Sequence, residues 1–483
     1  MNSITHHVLF PVLISMASLI LSIPCFAGEK PADPPNFIII IADDLGWADI
    51  SIQQEAASRD VSTPNIDRLY REGIRFTNGY VASSTCGPSR SSLLTGRTSS
   101  RFAMEDNQPG SPLEGPPATE ILLPAIISGK GYKSGAIGKW HLGEAPDRLP
   151  AARGFDEFFG FLGGSHDYYS GTLTRNTENV PLDGYITDVL ADGAVEFIQK
   201  NKDNPFFLYV AFNAPHSPMQ APQRLIERVV RHQPRFADAF TLMKNKGGPD
   251  GLPFFDLRPF KGKNIDVDLM RLVYCAMVFG LDDGVGKILD AVDGVGIREN
   301  TIIVFLSDNG AALARPNDLG GVNLPLRSGK GSVFEGGVRV PFGISWRNTL
   351  PEGIEFHGTI NAVDLFTTFV ELAGATIPGD RVIDGVNIIP YLKGDIAGNP
   401  HESFFFRRKD RNMFSYRSGD YKLVVAPRQI MDPSGELYNL ASDIGESVDL
   451  SVTLPEVKAR LRQEYDEKTL DLPDPVVHTP GSN

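Results

Sequence analysis

Four apolar stretches of the chain each end in residues that bind ions or move protons. Residues 37–42 run straight into Asp43-Asp44, and residues 301–306 into Ser307-Asp308-Asn309-Gly310. Residues 206–212 lead into Asn213-Ala214-Pro215-His216, and the stretch around Ala136-Ile137 leads into Gly138-Lys139-Trp140-His141. One such ending alone is as readily a helix cap or a turn. Four together are harder to dismiss, because ligands of an open α/β sheet bind outside the carboxyl ends of its strands. Asp43, Asp44 and Asp308 with the amide oxygen of Asn309 make a hard, oxygen-only donor set, suited to Ca2+ or Mg2+ and not to Zn2+. Lys139 and His141, two residues apart, face the same side of an extended chain. Lys139, Lys330, Arg90, His141 and His216 bring positive charge for a tetrahedral oxyanion. Cys86 is the candidate nucleophile. It lies in SSTCGPSRSSLLTGR at residues 83–97, just before an expected helix with Pro88 early in it, where backbone N–H groups and the dipole favour an anion. Cys275, inside the apolar run 272–277, reads as a buried inert thiol instead.

The elements that must position these groups are legible as an alternation. Residues 37–42 (FIIIIA) are apolar on both faces, as a central parallel strand covered on two sides should be. Further strands are expected at 135–138, 205–212 and 301–306. Helices are expected at 63–73, where Thr63 caps and Pro64 suits the first turn, and at 187–200 and 266–292. The fold class is therefore α/β: a large, mostly parallel mixed sheet sandwiched by helices. After about residue 399 the pattern changes to short strands at 403–406, 413–417 and 421–425, then a helix at 455–469. This predicts a smaller C-terminal antiparallel sheet with one helix. The expected division is a signal segment at 1–27, a catalytic domain at 28–398 and the C-terminal part at 399–483.

Composition narrows the classes. The chain has 483 residues, 41 % hydrophobic and 22 % charged, which describes a globular protein and not a disordered one. A formal charge of −13 argues against a nucleic-acid partner, whose footprint is a basic excess. Three cysteines cannot build a disulfide scaffold. The apolar stretch at 8–23, with Cys25 and Ala27 as small residues before a cleavage point, reads as an export signal. A lipid-modified Cys25 is the alternative, opposed by Pro24. The stretch is short for a membrane span and Pro11 interrupts it, so the mature chain is expected to be exported, periplasmic or secreted, with no membrane span.

In order along the chain, ADDLGW (42–47), TPNIDRLYREGIRFTNGY (63–80), CGPSR with LLTGR (86–97), GKWHLG (138–143), APHSP (214–218) and SDNG (307–310) are joined by LRSGKGSVFEGGVRVP (326–341), VDLFTTFVELAG (363–374) and ELYNLASDIGE (436–446). This series resembles the formylglycine-dependent (type I) sulfatases of the alkaline phosphatase superfamily, over nearly the whole mature chain. The resemblance implies that a separate maturation enzyme oxidises Cys86 to formylglycine, active as its hydrate. It implies Ca2+ held by Asp43, Asp44, Asp308, Asn309 and the modified residue 86. Arg90 matches the position that orients the hydrate. Lys139, His216 and Lys330 match residues that grip the sulfate and the leaving oxygen, with His141 beside the formylglycine hydroxyl. One hydroxyl then attacks sulfur, His216 acts as acid on the leaving oxygen, helped by Lys330, and His141 deprotonates the other hydroxyl so that sulfate is expelled.

The expected substrate is a sulfated carbohydrate. The resemblance is closest to galactose and N-acetylgalactosamine 4-sulfatases, which points to galactans such as carrageenans, with glycosaminoglycans as the alternative. His166, Asp167 and Tyr168 are expected to bond sugar hydroxyls and Arg327 a neighbouring anionic group; a loop-stabilising pair is the other reading of His166-Asp167. Two departures from the family pattern stand out. Residues 231–263 form a long excursion, either a surface feature or a wall of the cleft. ASDIGE replaces the usual Asp-Pro-x-Glu arrangement, and little effect on activity is expected there. A phosphoryl-transfer enzyme of the same superfamily would carry Ser or Thr and a two-zinc ligand set instead. A non-catalytic glycan-binding relative would have lost Cys86, Arg90 or a metal carboxylate.

Overall fold

Seven consecutive buried residues, Asn36–Ala42, form the strand at the centre of the molecule. Its alternate side chains enter two different cores. Ile38 and Ile40 pack on one face with Leu190, Leu281 and Phe212, while Phe37, Ile39 and Ile41 pack on the other with Leu94 and Phe369. A strand with water on neither side needs apolar residues at every position, which is why the run is continuous rather than alternating.

The structure is a computed structural model that describes residues 34–53, 55–107, 115–245, 254–256, 266–313, 320–427 and 430–476. The expected signal segment 1–27, with Cys25, lies outside the described residues. So do residues 246–253 and 257–263 of the long excursion, whose first part forms the helices Gln223–His232 and Ala237–Asn245. Among the described residues, no helix is long and apolar enough to cross a membrane.

Among the described residues the main sheet has ten strands. In spatial order they are Ile354–Asn361, Ile74–Tyr80, Phe342–Ser345, Thr301–Ser307, Asn36–Ala42, Phe206–Ala211, Lys133–Lys139, Glu157–Phe161, Thr172–Arg175 and Glu178–Pro181. The five strands from Thr301–Ser307 to Glu157–Phe161 are parallel, in a register that sets Ala42 opposite Ser307 and Ile41 opposite Ala211. That register brings the Asp43-Asp44, Asp308-Asn309, Asn213 and Lys139 endings to one edge. Antiparallel pairs enter towards both sides of this core, at Phe342–Ser345 and at Thr172–Arg175. Helices Ile186–Asn201 and Val267–Gly294 cover one face, the second capped by Asp266, whose carboxylate accepts from the Asp268 and Leu269 N–H groups.

The C-terminal sheet is antiparallel and four-stranded: Ser403–Arg408, Met413–Ser418, Tyr421–Val425 and Glu436–Asn439, with helix Pro455–Thr469 packed on it. It joins the rest of the chain through an apolar cluster, Tyr80, Val333, Phe334 and Val338 against Phe406, Val424 and Tyr438, and through a buried ionic group. Lys422 Nζ lies 2.8 Å from Glu335 Oε1 and 2.9 Å from Glu446 Oε1, all three side chains fully enclosed. Glu446 Oε2 also accepts from the Glu335 N–H at 2.7 Å, and Tyr80 donates to Glu335 at 2.6 Å. Glu446, the last residue of the departing ASDIGE motif, is thus built into the base of the loop that carries Lys330. Removing one partner of a buried pair leaves uncompensated charge and costs about 3–5 kcal/mol. Lys422→Met is therefore expected to lower the melting temperature markedly, and a wild-type thermal denaturation curve would contradict this role.

Candidate active site

Helix Cys86–Thr95 begins at the carboxyl edge of the sheet, and all ten of its residues are buried. Thr85 precedes it in extended conformation and Pro88, which has no N–H to satisfy, suits its first turn. Cys86 is 1 % exposed, and burial pushes its thiol above the usual value while Lys139 and Lys330 act against that rise.

Opposite charges surround it in pairs. Lys139 Nζ lies 2.7 Å from Asp43 Oδ2, and Arg90 reaches Asp308 Oδ2 through Nε at 2.9 Å and Nη2 at 2.8 Å. Lys330 Nζ lies 2.7 Å from Asp44 Oδ1, which also accepts from Asn309 Nδ2 at 2.7 Å. Burial raises the Asp43 carboxyl, yet Lys139, His216, Arg90 and Lys330 together hold it below the ordinary range. Asp308 goes the other way, pushed up to about 6 by burial and by Asp43.

The two histidines are set differently. His216 Nδ1 faces the Ser217 carbonyl at 2.6 Å. A carbonyl oxygen only accepts, so Nδ1 carries the hydrogen and Nε2 is the atom left to gain or lose a proton. Nε2 stands 3.7 Å from Asp44 Oδ2. Burial lowers the His216 pKa, against Asp43 and Asp44. His141 is held further down, well below the usual imidazole value, by burial and then by Lys139 and Arg90, which leaves it neutral. Its backbone donates to the Leu162 carbonyl at 2.9 Å.

The structure thus brings together Asp43, Asp44, Cys86, Arg90, Lys139, His141, His216, Asp308, Asn309 and Lys330. It does not bring in the remaining expected residues in the same way. Tyr168 is fully buried and its hydroxyl contacts the Asn213 and His216 carbonyls at 2.9 and 2.8 Å, so it fixes the His216 segment and does not face a sugar. Asp167 Oδ1 accepts from the Tyr169 and Ser170 N–H groups, and the His166 ring nitrogens face the Asp167 and Thr172 carbonyls. The Arg327 guanidinium reaches Tyr438 Oη at 2.8 Å and the Glu446 carbonyl at 2.9 Å in the C-terminal part, and lies over the Phe334 ring face.

Two further residues have no sequence signal. Asn107 accepts from the Gly87 N–H at 2.9 Å and places Nδ2 3.9 Å from Cys86 Sγ. Gly164 lies against the His141 ring, where a Cβ would come 2.7 Å from Nε2. Gly164→Ala must displace that ring, and a misplacement near 1 Å costs up to about 100-fold in rate. The expected outcome is a kcat reduced by at least about tenfold at an almost unchanged melting temperature. Full activity in this variant would separate His141 from the chemistry.

The sulfatase family model matches residues 35–375, the sheet and every strand end described above. The chain belongs to the sulfatase family. As a sulfatase it is a sulfuric ester hydrolase, and it resembles relatives over most of its length. It is 34 % identical to the N-acetylgalactosamine-6-sulfatase of Canis lupus familiaris, covering 84 % of this chain and 74 % of that one. With human arylsulfatase A it shares 31 % identity over 92 % of this chain and 89 % of the relative. Among solved structures, that of Ps i-CgsB in complex with k-i-k-neocarrahexaose superposes with a TM-score of 0.79 at 33 % identity, covering 93 % and 96 % of the two chains. The family and the α/β fold expected from the motifs are both borne out.

Proposed function

We propose that this sulfatase removes sulfate from galactose-type units of a sulfated polysaccharide or oligosaccharide, with galactose 4-O-sulfate in a carrageenan-like chain as the first reading. The observation that carries the reaction class is the enclosure of Cys86 by two lysines, an arginine and two histidines, above a set of acidic and amide oxygens. The similarity to an oligosaccharide-bound structure supports the carbohydrate. The name of the canine relative favours a second reading, N-acetylgalactosamine 6-sulfate.

The donor set suits a hard cation. Among the described residues Asp43 Oδ1, 3.9 Å from Arg90 Nη2, and Asn309 Oδ1 are buried acceptor oxygens without a hydrogen-bond partner, an arrangement that costs about 1–3 kcal/mol for each oxygen left without one. One carboxylate oxygen each of Asp43 and Asp44, Cys86 Sγ and a His216 nitrogen lie within 4.8 Å of one another. Asp43, Asp44, Asp308 and Asn309 would hold Ca2+ with residue 86, and the ion would offset charge on sulfate oxygens. Formylglycine made from Cys86 would supply, as its hydrate, one hydroxyl for attack on sulfur and a second from which sulfate is expelled.

The chain's own residues do the rest. Lys139 and Lys330 compensate the charge of the sulfate, and Arg90, braced by Asp308, orients residue 86. An anion beside His216 Nε2 favours the imidazolium form, which is the form an acid needs to protonate the leaving sugar oxygen. His141, kept neutral, takes the proton from residue 86 when sulfate leaves. CGPSR is wholly buried in the folded chain, so a maturation enzyme would have to meet it before folding is complete. Export to the periplasm or beyond, on the strength of residues 1–27, completes the reading.

Sulfate release from a panel of defined sulfated oligosaccharides tests it. Release from 4-O-sulfated galactose units is expected. Exclusive release of 6-O-sulfate from N-acetylgalactosamine would select the second reading, and release from no carbohydrate would refute both.

A further inference from the structure

The hairpin of Ser403–Arg408 and Met413–Ser418 turns through Lys409–Arg411, and that turn reaches the mouth of the active site. Arg408 Nη1 and Arg411 Nη1 lie 3.8 and 3.9 Å from the point a Cβ on Gly331 would occupy. Gly331 follows Lys330, and its N–H donates to the Ser84 carbonyl at 2.8 Å, two residues before Cys86. The same turn grips the segment that touches the nucleophile from the other side. Arg407 pairs with Glu105, whose other oxygen accepts from the Lys409 N–H at 2.7 Å, and Arg408 Nη2 donates to Asp106 at 2.6 Å. Next in the chain is Asn107, beside Cys86 Sγ.

The two arginines are held differently. Arg408 is 1 % exposed, with Nε and Nη2 on Asp410 and Asp106, while its buried Nη1 has no hydrogen-bond partner among the described residues. The Arg411 side chain is 56 % exposed, and its ion pairs among the described residues are long, 3.8 Å to Asp106 and 3.7 Å to Asp410. A guanidinium at that distance from its carboxylates keeps its donor fork for an anion arriving from solvent.

We propose that Arg411, anchored by Arg408, forms a subsite for a second anionic group of the substrate, a sulfate or carboxylate on a sugar next to the one being desulfated. The subsite rests on the carbohydrate reading above: a polysaccharide charged on successive units carries such a group close to the scissile ester. Arg408 fixes the turn through Asp106 and Asp410, and its Nη1 adds positive potential beside Gly331. Gly331 has no side chain to fill the space between the Lys330 segment and the two guanidinium groups.

The test compares kcat/KM of wild type, Arg411→Ala and Arg411→Lys on a small aryl sulfate and two oligosaccharides of one backbone. One oligosaccharide carries only the scissile sulfate, and the other a second sulfate on the adjacent unit. Arg411→Ala is expected to lower kcat/KM about tenfold more on the doubly than on the singly sulfated compound, chiefly through KM. Arg411→Lys should recover part of the difference, and added salt should narrow the wild-type preference. Equal losses on all three substrates, or none on the doubly sulfated one, would overturn the subsite. Wild-type turnover of the aryl sulfate with none of either oligosaccharide would overturn the carbohydrate reading and the subsite with it.

Discussion

Cys86→Ser is expected to fold with a wild-type melting temperature, to release no more than one equivalent of desulfated alcohol per chain, and to release no free sulfate. The substitution is nearly isosteric, and the serine would occupy the same buried start of helix Cys86–Thr95, facing Lys139 and Lys330. Its hydroxyl would still be positioned to attack an ester held by those lysines. What it would lack is a second hydroxyl on the same carbon. The product would be a stable serine sulfate, from which the neutral His141 has no proton to remove and no way to expel the anion. Single-turnover stoichiometry measured against enzyme concentration checks this. Sustained turnover by the variant would remove the aldehyde from the account.

Chelation is expected to have the next largest effect: loss of sulfate release, recovered on addition of Ca2+. In the described ion pairs Lys139 compensates Asp43 and Lys330 compensates Asp44. Those lysines cannot serve the carboxylates and a sulfate at once, so an ion that takes over the carboxylates frees them for substrate. A ligand that binds only the folded chain also stabilises it, by about 2.7 kcal/mol at a hundredfold excess over Kd. The melting temperature should therefore rise with Ca2+, and Asp43→Ala should abolish that rise as well as the activity. Full activity in a protein shown by elemental analysis to be metal-free would contradict this.

The parallel core was legible because strands buried on both faces need continuous apolar runs, which Asn36–Ala42, Phe206–Ala211 and Thr301–Ser307 carry, and because the helix Val267–Gly294 holds a long apolar stretch at 272–281. The polar residues at their carboxyl ends were legible for the same reason, as the first departures from each run. Thr172–Arg175 and Glu178–Pro181 were not, since these short edge strands are half exposed and carry mixed residues. Nor was Glu436–Asn439, four residues long within a motif read only as a family marker. The supporting contacts of the site were hidden for a different reason. Arg407 meets Glu105 across 302 positions, and Arg327 meets Glu446 across 119, so no local pattern marks either pair. Arg327 was expected at the substrate, and its partners Tyr438 and Glu446 lie 111 and 119 positions away. Gly164 and Asn107 act through shape and one amide, which composition and periodicity do not register.

Mass spectrometry of the peptide containing residue 86, paired with sulfate release from the same preparations, tests the central claim most directly. Protein co-expressed with a formylglycine-generating enzyme should carry an aldehyde in place of the thiol, and turnover should scale with the fraction converted. Undiminished multiple turnover in a preparation whose residue 86 is entirely thiol would contradict it.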